Sequence, residues 1–137
     1  MNNASPSLKD FVRGLEEEIE ESNRNGGGFS VLVLSAARGL FAEERRKVFE
    51  WGEAVLRNHA PEGAIFAADA DSHTCLMLVP RLEAEAAESA ASYFGGQLNK
   101  LPVYGMAPGG GWAWDYACYP QHADGIESLR ARLTGTA

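Results

Sequence analysis

The segment 64–80, AIFAADADSHTCLMLVP, places several ligand-type side chains between two short apolar runs. Its polar tip carries carboxylates at Asp69 and Asp71, a hydroxyl at Ser72 and an imidazole at His73. Asp69, Asp71 and His73 alternate, and alternation along a strand would place all three on one face, where they could hold a metal ion. The alternative is a hairpin turn whose polar side chains are solvated. We favour the turn and assign no metal site.

The elements that position this tip follow from the spacing of apolar residues. A helical pattern predicts a first helix that begins at a Ser7 cap and ends at the glycines 26–28. The run 29–36, FSVLVLSA, is almost continuously apolar, which is typical of a central strand covered by helices. Residues 41–58 predict a second helix. The candidate core positions of this second helix are Phe41, Val48, Trp51, Val55 and Leu56.

The rest of the chain predicts a hairpin, a helix, a strand and a short last helix. Residues 64–68 and 74–79 are the hairpin strands. The many alanines of the third helix indicate close packing against the sheet. Pro and Gly predict a loop at 101–111, which leads to a strand at 112–119 and a helix at 124–133. The third helix is predicted to run through Leu82, Ala86, Ala90, Tyr93, Phe94 and Leu98.

The order of these elements predicts the fold class. Without its first and last helices, the chain reads β-α-β-β-α-β, the split-βαβ or ferredoxin-like arrangement. We therefore expect an α+β fold with an antiparallel sheet ordered 4-1-3-2, residues 29–35 central, and helices on one face. No internal repeat or linker interrupts the pattern, so residues 1–137 are expected to form a single domain.

The last strand carries three aromatic rings, Trp112, Trp114 and Tyr116, on one face, and Asp115 on the other. An aspartate is unusual on a buried strand face, so the Asp115 face is predicted to be solvated. The rings are then expected to pack under the helices as core. On an open sheet face they would instead form a patch for a partner or for self-association.

Composition and charge narrow the class of protein. The chain is 45% hydrophobic and 23% charged, as in ordinary globular domains, and its net charge of -7 argues against nucleic-acid binding. No apolar run approaches the ~20 residues of a membrane helix, and the start lacks a signal-peptide pattern. We expect a cytoplasmic protein in which Cys75 and Cys118 are buried, reduced thiols.

Three stretches carry motifs that occur together in one family. They are 24-RNGGGFSVLVLSAA-37, the hairpin 71-DSHTCLMLVP-80, and 114-WDYACYPQHADGIESL-129 with its Tyr-Pro corner and polar Asp-Gly. In order and spacing they resemble the joint and first strand, the signature hairpin, and the late strand and helix of the GGDEF domain. This domain is the bacterial diguanylate cyclase module, and the resemblance covers nearly the whole chain.

The resemblance also identifies what this chain lacks. In the family, carboxylates at the end of the first strand and in the signature hairpin hold the magnesium ions that neutralise the triphosphate. The matching first-strand positions are Ser35 and Ala37, and the acidic pair of the signature is replaced by His73 and Thr74. The resemblance therefore implies a degenerate domain with no catalytic residues, no metal and no cofactor.

The nucleotide-facing groups depart from the family as well. Asp71 and Ser72 replace the signature glycines that let the turn backbone approach a nucleotide. The family's Arg-x-x-Asp product-inhibition motif is missing, since the corresponding segment is 61-PEGAI-65.

Two functions fit this pattern. The first is a catalytically inactive GGDEF-like domain that regulates or binds another signalling protein in bacterial signal transduction. The alternative is a non-catalytic sensor that binds a guanine nucleotide or cyclic di-GMP. The residues of the former nucleotide site that would contribute to binding are Ser35, Arg38, Gly39, Asp71, Ser72 and His73. Arg45, Arg46 and Lys47 are further cationic candidates, unless they form an exposed basic helix face. The missing carboxylates argue against an active cyclase.

Overall fold

The computed structural model describes residues 8–36, 42–100 and 112–134. These residues form four helices and four strands in the predicted order. The elements are α1 (Leu8–Asn25), β1 (Phe29–Ala36), α2 (Ala42–His59), β2 (Ile65–Asp69), β3 (Thr74–Pro80), α3 (Ala84–Asn99), β4 (Trp112–Tyr119) and α4 (Ala123–Thr134). Within the described residues, no helix is long and apolar enough to cross a membrane.

The strands form one sheet in the order β2-β3-β1-β4, with every neighbouring pair antiparallel. This is the predicted order read from the other edge, and β1 is central as expected. The predicted hairpin is confirmed, since β2 pairs with β3 and Asp69 lies opposite Thr74. In the same register Ser35, near the end of β1, lies opposite Thr74. The sheet therefore brings the end of β1 and the hairpin turn together at one end.

Helices cover both faces of the sheet, whereas the prediction placed them on one. Leu32 and Leu34 of β1 belong to a buried cluster with α2 and α3, as predicted. Val31, on the opposite face of β1, is buried with Phe11 of α1 and Ile126 of α4. The one-face expectation is wrong because β1 is apolar on both faces. Each face then needs a covering layer to remove it from water.

Three glycines end α1, as predicted, and each has a positive φ. Gly28 has a φ of 64°, and a Cβ at this position would lie 2.5 Å from the carbonyl oxygen of Tyr119. A side chain is therefore excluded twice, by backbone conformation and by the close approach of β4. The glycines let the chain turn directly from α1 into β1.

The buried residues of α2 and α3 match the predicted positions only in part, since Val48, Leu56 and Leu98 are buried as predicted. Trp51 is 46% exposed and Tyr93 is 60% exposed, while Phe49 is buried. In α3 the buried positions are Ala87, Ala91, Gly95 and Leu98. Small residues thus face the sheet, which agrees with the predicted close packing. The predicted core residue Phe41 and the predicted loop 101–111 lie outside the described residues.

The aromatic face of β4 is only partly core. Trp112 is buried, but Trp114 is 39% exposed even though it points to the same side. Asp115 is exposed, as predicted. Both cysteines are buried and free, also as predicted. The exposure of Trp114 arises because β4 is an edge strand of the described sheet and α3 covers only part of the ring.

Candidate functional site

The turn between β2 and β3 is held by its own polar groups. One carboxylate oxygen of Asp69 accepts a hydrogen bond from the backbone N–H of Asp71 (3.2 Å), and the other accepts one from the hydroxyl of Ser72 (2.7 Å). The hydroxyl of Thr74 donates to the carbonyl of Ser72 (3.2 Å). Asp side chains commonly stabilise turns in this way. The turn interpretation therefore accounts for these polar residues.

His73 joins the turn to the end of β1. Its φ is +54°, a left-handed conformation, and its carbonyl accepts a hydrogen bond from the N–H of Ala36 (2.9 Å). The imidazole packs edge-to-face against Phe49 of α2, with ring centroids 5.4 Å apart. Asp69 ends β2, whereas Asp71 and His73 lie in the turn, so the alternation does not continue along a strand. Within residues 8–36, 42–100 and 112–134, no three His, Cys, Asp or Glu side chains come together as metal ligands would.

Ser35 and Thr74 form the centre of the candidate site. Their hydroxyl oxygens are 3.1 Å apart across the β1–β3 pair, within hydrogen-bond distance. According to the resemblance, these two positions correspond to the metal-binding end of the first strand and to the acidic pair of the hairpin. Both groups are neutral hydroxyls here, and because Thr74 donates its proton to Ser72, Ser35 donates to Thr74. The donor set therefore does not fit a divalent magnesium ion, which prefers anionic oxygens.

A cleft of about 360 Å³ opens beside this hydroxyl pair. Arg45 of α2 and Arg132 of α4 line it together with the hydroxyl pair. One guanidinium nitrogen of Arg45 contacts the carbonyl of Ser72 (3.4 Å), while its buried Nε has no hydrogen-bond partner in the described part of the chain. The remaining lining residues are Val33, Asp69, Ser72, Leu76, Leu129 and Leu133. The cleft thus offers cations and hydroxyls, with one carboxylate engaged in the turn.

The predicted ligand-binding residues do not all lie at this cleft. Ser35 and Ser72 line it, whereas Asp71 is exposed at the tip and the ring of His73 packs against α2. Arg38 and Gly39 lie outside the described residues.

Two groups at the cleft were not among the predicted site residues. Arg132 was missed because it lies on the last helix, far along the chain, and only the packing of α4 brings it here. Thr74 could have been identified, since it aligns with an acidic signature position. Of the basic candidates on α2, Arg46 is exposed and pairs with Glu50 (3.2 Å), in agreement with a solvated helix face.

The buried thiol nearest the hairpin turn is not a nucleophile. Cys75 follows Thr74 but points to the opposite face, into the core beneath α2 and α3. Burial, with a further contribution from the charge of Glu53, raises the pKa of Cys75 to about 12. The thiol is therefore protonated at neutral pH and unreactive.

The sheet order, the hairpin at β2–β3 and the helices on both faces define the fold of the GGDEF domains of diguanylate cyclases, which confirms the predicted resemblance at the level of the fold. The GGDEF domain of YfiN (also TpbB) from Pseudomonas aeruginosa superimposes with a TM-score of 0.71 at 18% identity, covering 91% of this chain and 83% of that one. A second structure of that domain gives 0.66 at 16% identity, covering 93% and 85%.

A third similar structure is the diguanylate cyclase SiaD of Pseudomonas aeruginosa, solved in complex with its activator SiaC. It gives a TM-score of 0.66 at 13% identity, covering 97% of this chain and 56% of that one. No family model and no curated protein matches the sequence. The fold is therefore shared, while the sequence identity to these structures is only 13–18%.

Proposed function

We propose that this chain is a catalytically inactive GGDEF-like domain that acts as a regulatory or protein-interaction module in bacterial signalling. The observation that carries the proposal is the Ser35–Thr74 pair. Two hydroxyls 3.1 Å apart occupy the positions at which the family resemblance places metal-binding carboxylates. A neutral pair of this kind binds a divalent cation far more weakly than two carboxylates do.

The lost carboxylates bear directly on the chemistry. Phosphodiester formation from a triphosphate depends on metal ions that bridge phosphate oxygens and neutralise the charge that develops during transfer. Asp69, the carboxylate that lines the cleft, already accepts two hydrogen bonds from the turn. Recruiting it as a metal ligand would break the turn that positions it. We therefore expect phosphoryl transfer to be slower by many orders of magnitude than in a metal-competent domain.

A protein partner is the second part of the proposal. The similar structure of SiaD contains an activator protein, which supports protein binding by this scaffold. In this proposal residues 1–137 act as one domain in the cytoplasm and bind another signalling protein. Retention of the scaffold with a degenerate site is then explained by the binding surfaces that the scaffold presents.

The first test is a turnover assay. The purified chain is incubated with GTP and magnesium or manganese, and cyclic di-GMP is measured by mass spectrometry. We expect none above the level of a protein-free control, while an active GGDEF domain in parallel shows that the assay works. Formation of cyclic di-GMP by the chain would contradict the proposal.

A non-catalytic nucleotide sensor is the alternative function. It is favoured by Arg45 and Arg132, which line one cleft beside two hydroxyls and could contact phosphate oxygens. Against it, the turn presents carboxylates and no glycine, so it lacks the backbone N–H groups that hold phosphates elsewhere. We expect the dissociation constant of GTP to be roughly millimolar or higher, which corresponds to a binding free energy of at most about 4 kcal/mol in magnitude.

Calorimetry with GTP and with cyclic di-GMP, each with and without magnesium, separates the two functions. Micromolar affinity that is lost in Arg45→Ala or Arg132→Ala would favour the sensor and locate it at the cleft. Loss only in Arg38→Ala would place the ligand at the segment after β1. The matched control is Arg46→Ala, which removes an exposed cation of α2 that does not line the cleft.

A further inference from the structure

An exposed aromatic surface lies on α3 and β4, away from the hairpin cleft. Tyr93 is 60% exposed and Trp114 is 39% exposed, and both line one shallow depression with Glu88, Ser89 and Ser92. Large exposed aromatic rings are unusual on a domain surface and are common at the centres of binding interfaces. We name these five residues the α3–β4 surface.

Both rings are held in place by the residues beneath or beside them. Trp114 lies directly against the backbone of α3 at Gly95, where any Cβ would overlap the indole. Tyr93 makes an edge-to-face contact with Phe94, with ring centroids 5.6 Å apart. Rings that are already ordered lose little conformational entropy when a partner binds. Because Gly95 has no side chain, the indole can lie against the backbone of α3 at this position.

Glu88 is the one charged residue among the five that form the α3–β4 surface, so the surface carries negative charge. Glu85 and Glu88 lie one turn apart on α3, and the helix sequence AEAAESAASYFGGQLN contains no Lys or Arg. Among the described residues, no ion pair uses Glu85 or Glu88. Burial and then the charge of Glu88 raise the pKa of Tyr116 on β4.

We infer that the α3–β4 surface binds a basic segment of a partner protein, with an arginine or lysine placed against the rings of Tyr93 and Trp114 and facing Glu88. Aromatic faces attract cations, and an adjacent carboxylate strengthens the attraction. A second copy of the chain would bring a like-charged surface into contact and be repelled, as would a nucleic acid. This inference rests on the proposed function, because it names the class of partner that the module would bind.

The test is a binding titration with a defined probe. A fluorescently labelled short peptide of alternating Arg and Ser is titrated with the full chain, and anisotropy is measured at low and at physiological salt. A peptide of alternating Glu and Ser is the charge control. We expect only the basic peptide to bind, because a net charge of -7 and local carboxylates both oppose the acidic one.

Variants separate this surface from general attraction to an acidic protein. Tyr93→Ala is expected to weaken binding about five-fold, and Glu88→Gln about three-fold. Neither side chain is buried, so both variants should remain folded, which circular dichroism verifies. Matched controls are Trp51→Ala, an exposed aromatic of α2, and Glu20→Gln, an exposed acid of α1. Both controls should bind as the native chain does.

Three results would overturn the inference. Equal weakening by Glu20→Gln and Glu88→Gln would show attraction to net charge alone. Unchanged binding in Tyr93→Ala would remove the aromatic surface from the interface. A concentration-dependent dimer that is lost in Tyr93→Ala would assign the surface to self-association. None of these results measures turnover. The proposal that the domain is inactive is therefore tested separately, by the assay for cyclic di-GMP formation.

Discussion

The hydroxyl oxygens of Ser35 and Thr74 lie 3.1 Å apart at the end of the β1–β3 ladder. Strand pairing alone brings these positions together, so carboxylates placed there would face each other across the ladder. The proximity needed for a two-carboxylate metal site is therefore retained by the backbone, while the chemical groups are not. This makes the proposed loss of metal binding testable by substitution.

The double variant Ser35→Asp/Thr74→Glu should become sensitive to magnesium. Without the cation, repulsion between adjacent carboxylates should lower stability by roughly 1–4 kcal/mol. Added magnesium should then raise the melting temperature, because a ligand that binds only the folded state stabilises it. Thermal unfolding with and without magnesium chloride measures both effects. The native chain and the neutral variant Ser35→Asn/Thr74→Gln should not respond, and a magnesium-dependent shift in either would contradict the assignment.

The turn prediction concerns Asp69 and Asp71. Asp69→Ala removes the acceptor of two hydrogen bonds and should cost about 1–2 kcal/mol of unfolding free energy. Asp71→Ala is the matched control, since its exposed side chain makes no hydrogen bond within residues 8–36, 42–100 and 112–134. Urea denaturation should place the Asp71 variant within about 0.5 kcal/mol of the native chain. A larger loss for Asp71 than for Asp69 would argue against the turn.

The helical glycines offer a paired test of packing. A Cβ at Gly52 of α2 would overlap the buried ring of Trp112, whereas a Cβ at Gly96 of α3 meets nothing within 4 Å. Gly52→Ala should therefore destabilise the chain by about 1–3 kcal/mol through overpacking. Gly96→Ala should stabilise it by up to about 1 kcal/mol, because alanine favours a helix. Chemical denaturation of the two variants should give opposite signs, and equal signs would refute this packing.

The pH prediction concerns Cys75, whose pKa rises from 9.0 to about 12 on folding. Between these values the unfolded chain loses the thiol proton while the folded chain keeps it, so stability falls as the pH rises. The contribution of the protonated thiol to the free energy of unfolding is fully present below pH 9. It declines by about 1.4 kcal/mol per pH unit between pH 9.0 and about 12. Cys75→Ala should show a shallower decline over this range. If the free energy of unfolding declines equally steeply with pH in the variant and in the native chain, the raised pKa of Cys75 is disproved.

Much of the fold could be predicted from local patterns. The run FSVLVLSA is apolar on both faces, and such a strand must be central, so its position in the sheet followed from composition alone. The glycines 26–28 and the tight polar tip marked the end of α1 and the hairpin for the same local reason. The covering of the second face by α1 and α4 was not predicted. This covering depends on which helices, distant in sequence, pack against the second face of the sheet.

The sequence by itself also determined that positions 35 and 74 carry no carboxylate, because serine and threonine supply only neutral hydroxyls in any fold. Tertiary structure alone decided which groups meet. Arg45 and Arg132 line one cleft only because α2 and α4 pack near the same end of the sheet. Trp114 is exposed, and Trp112 buried, although both occupy the same face of β4. Periodicity assigns a side chain to a face, but the extent of burial depends on how far a neighbouring helix reaches over that face.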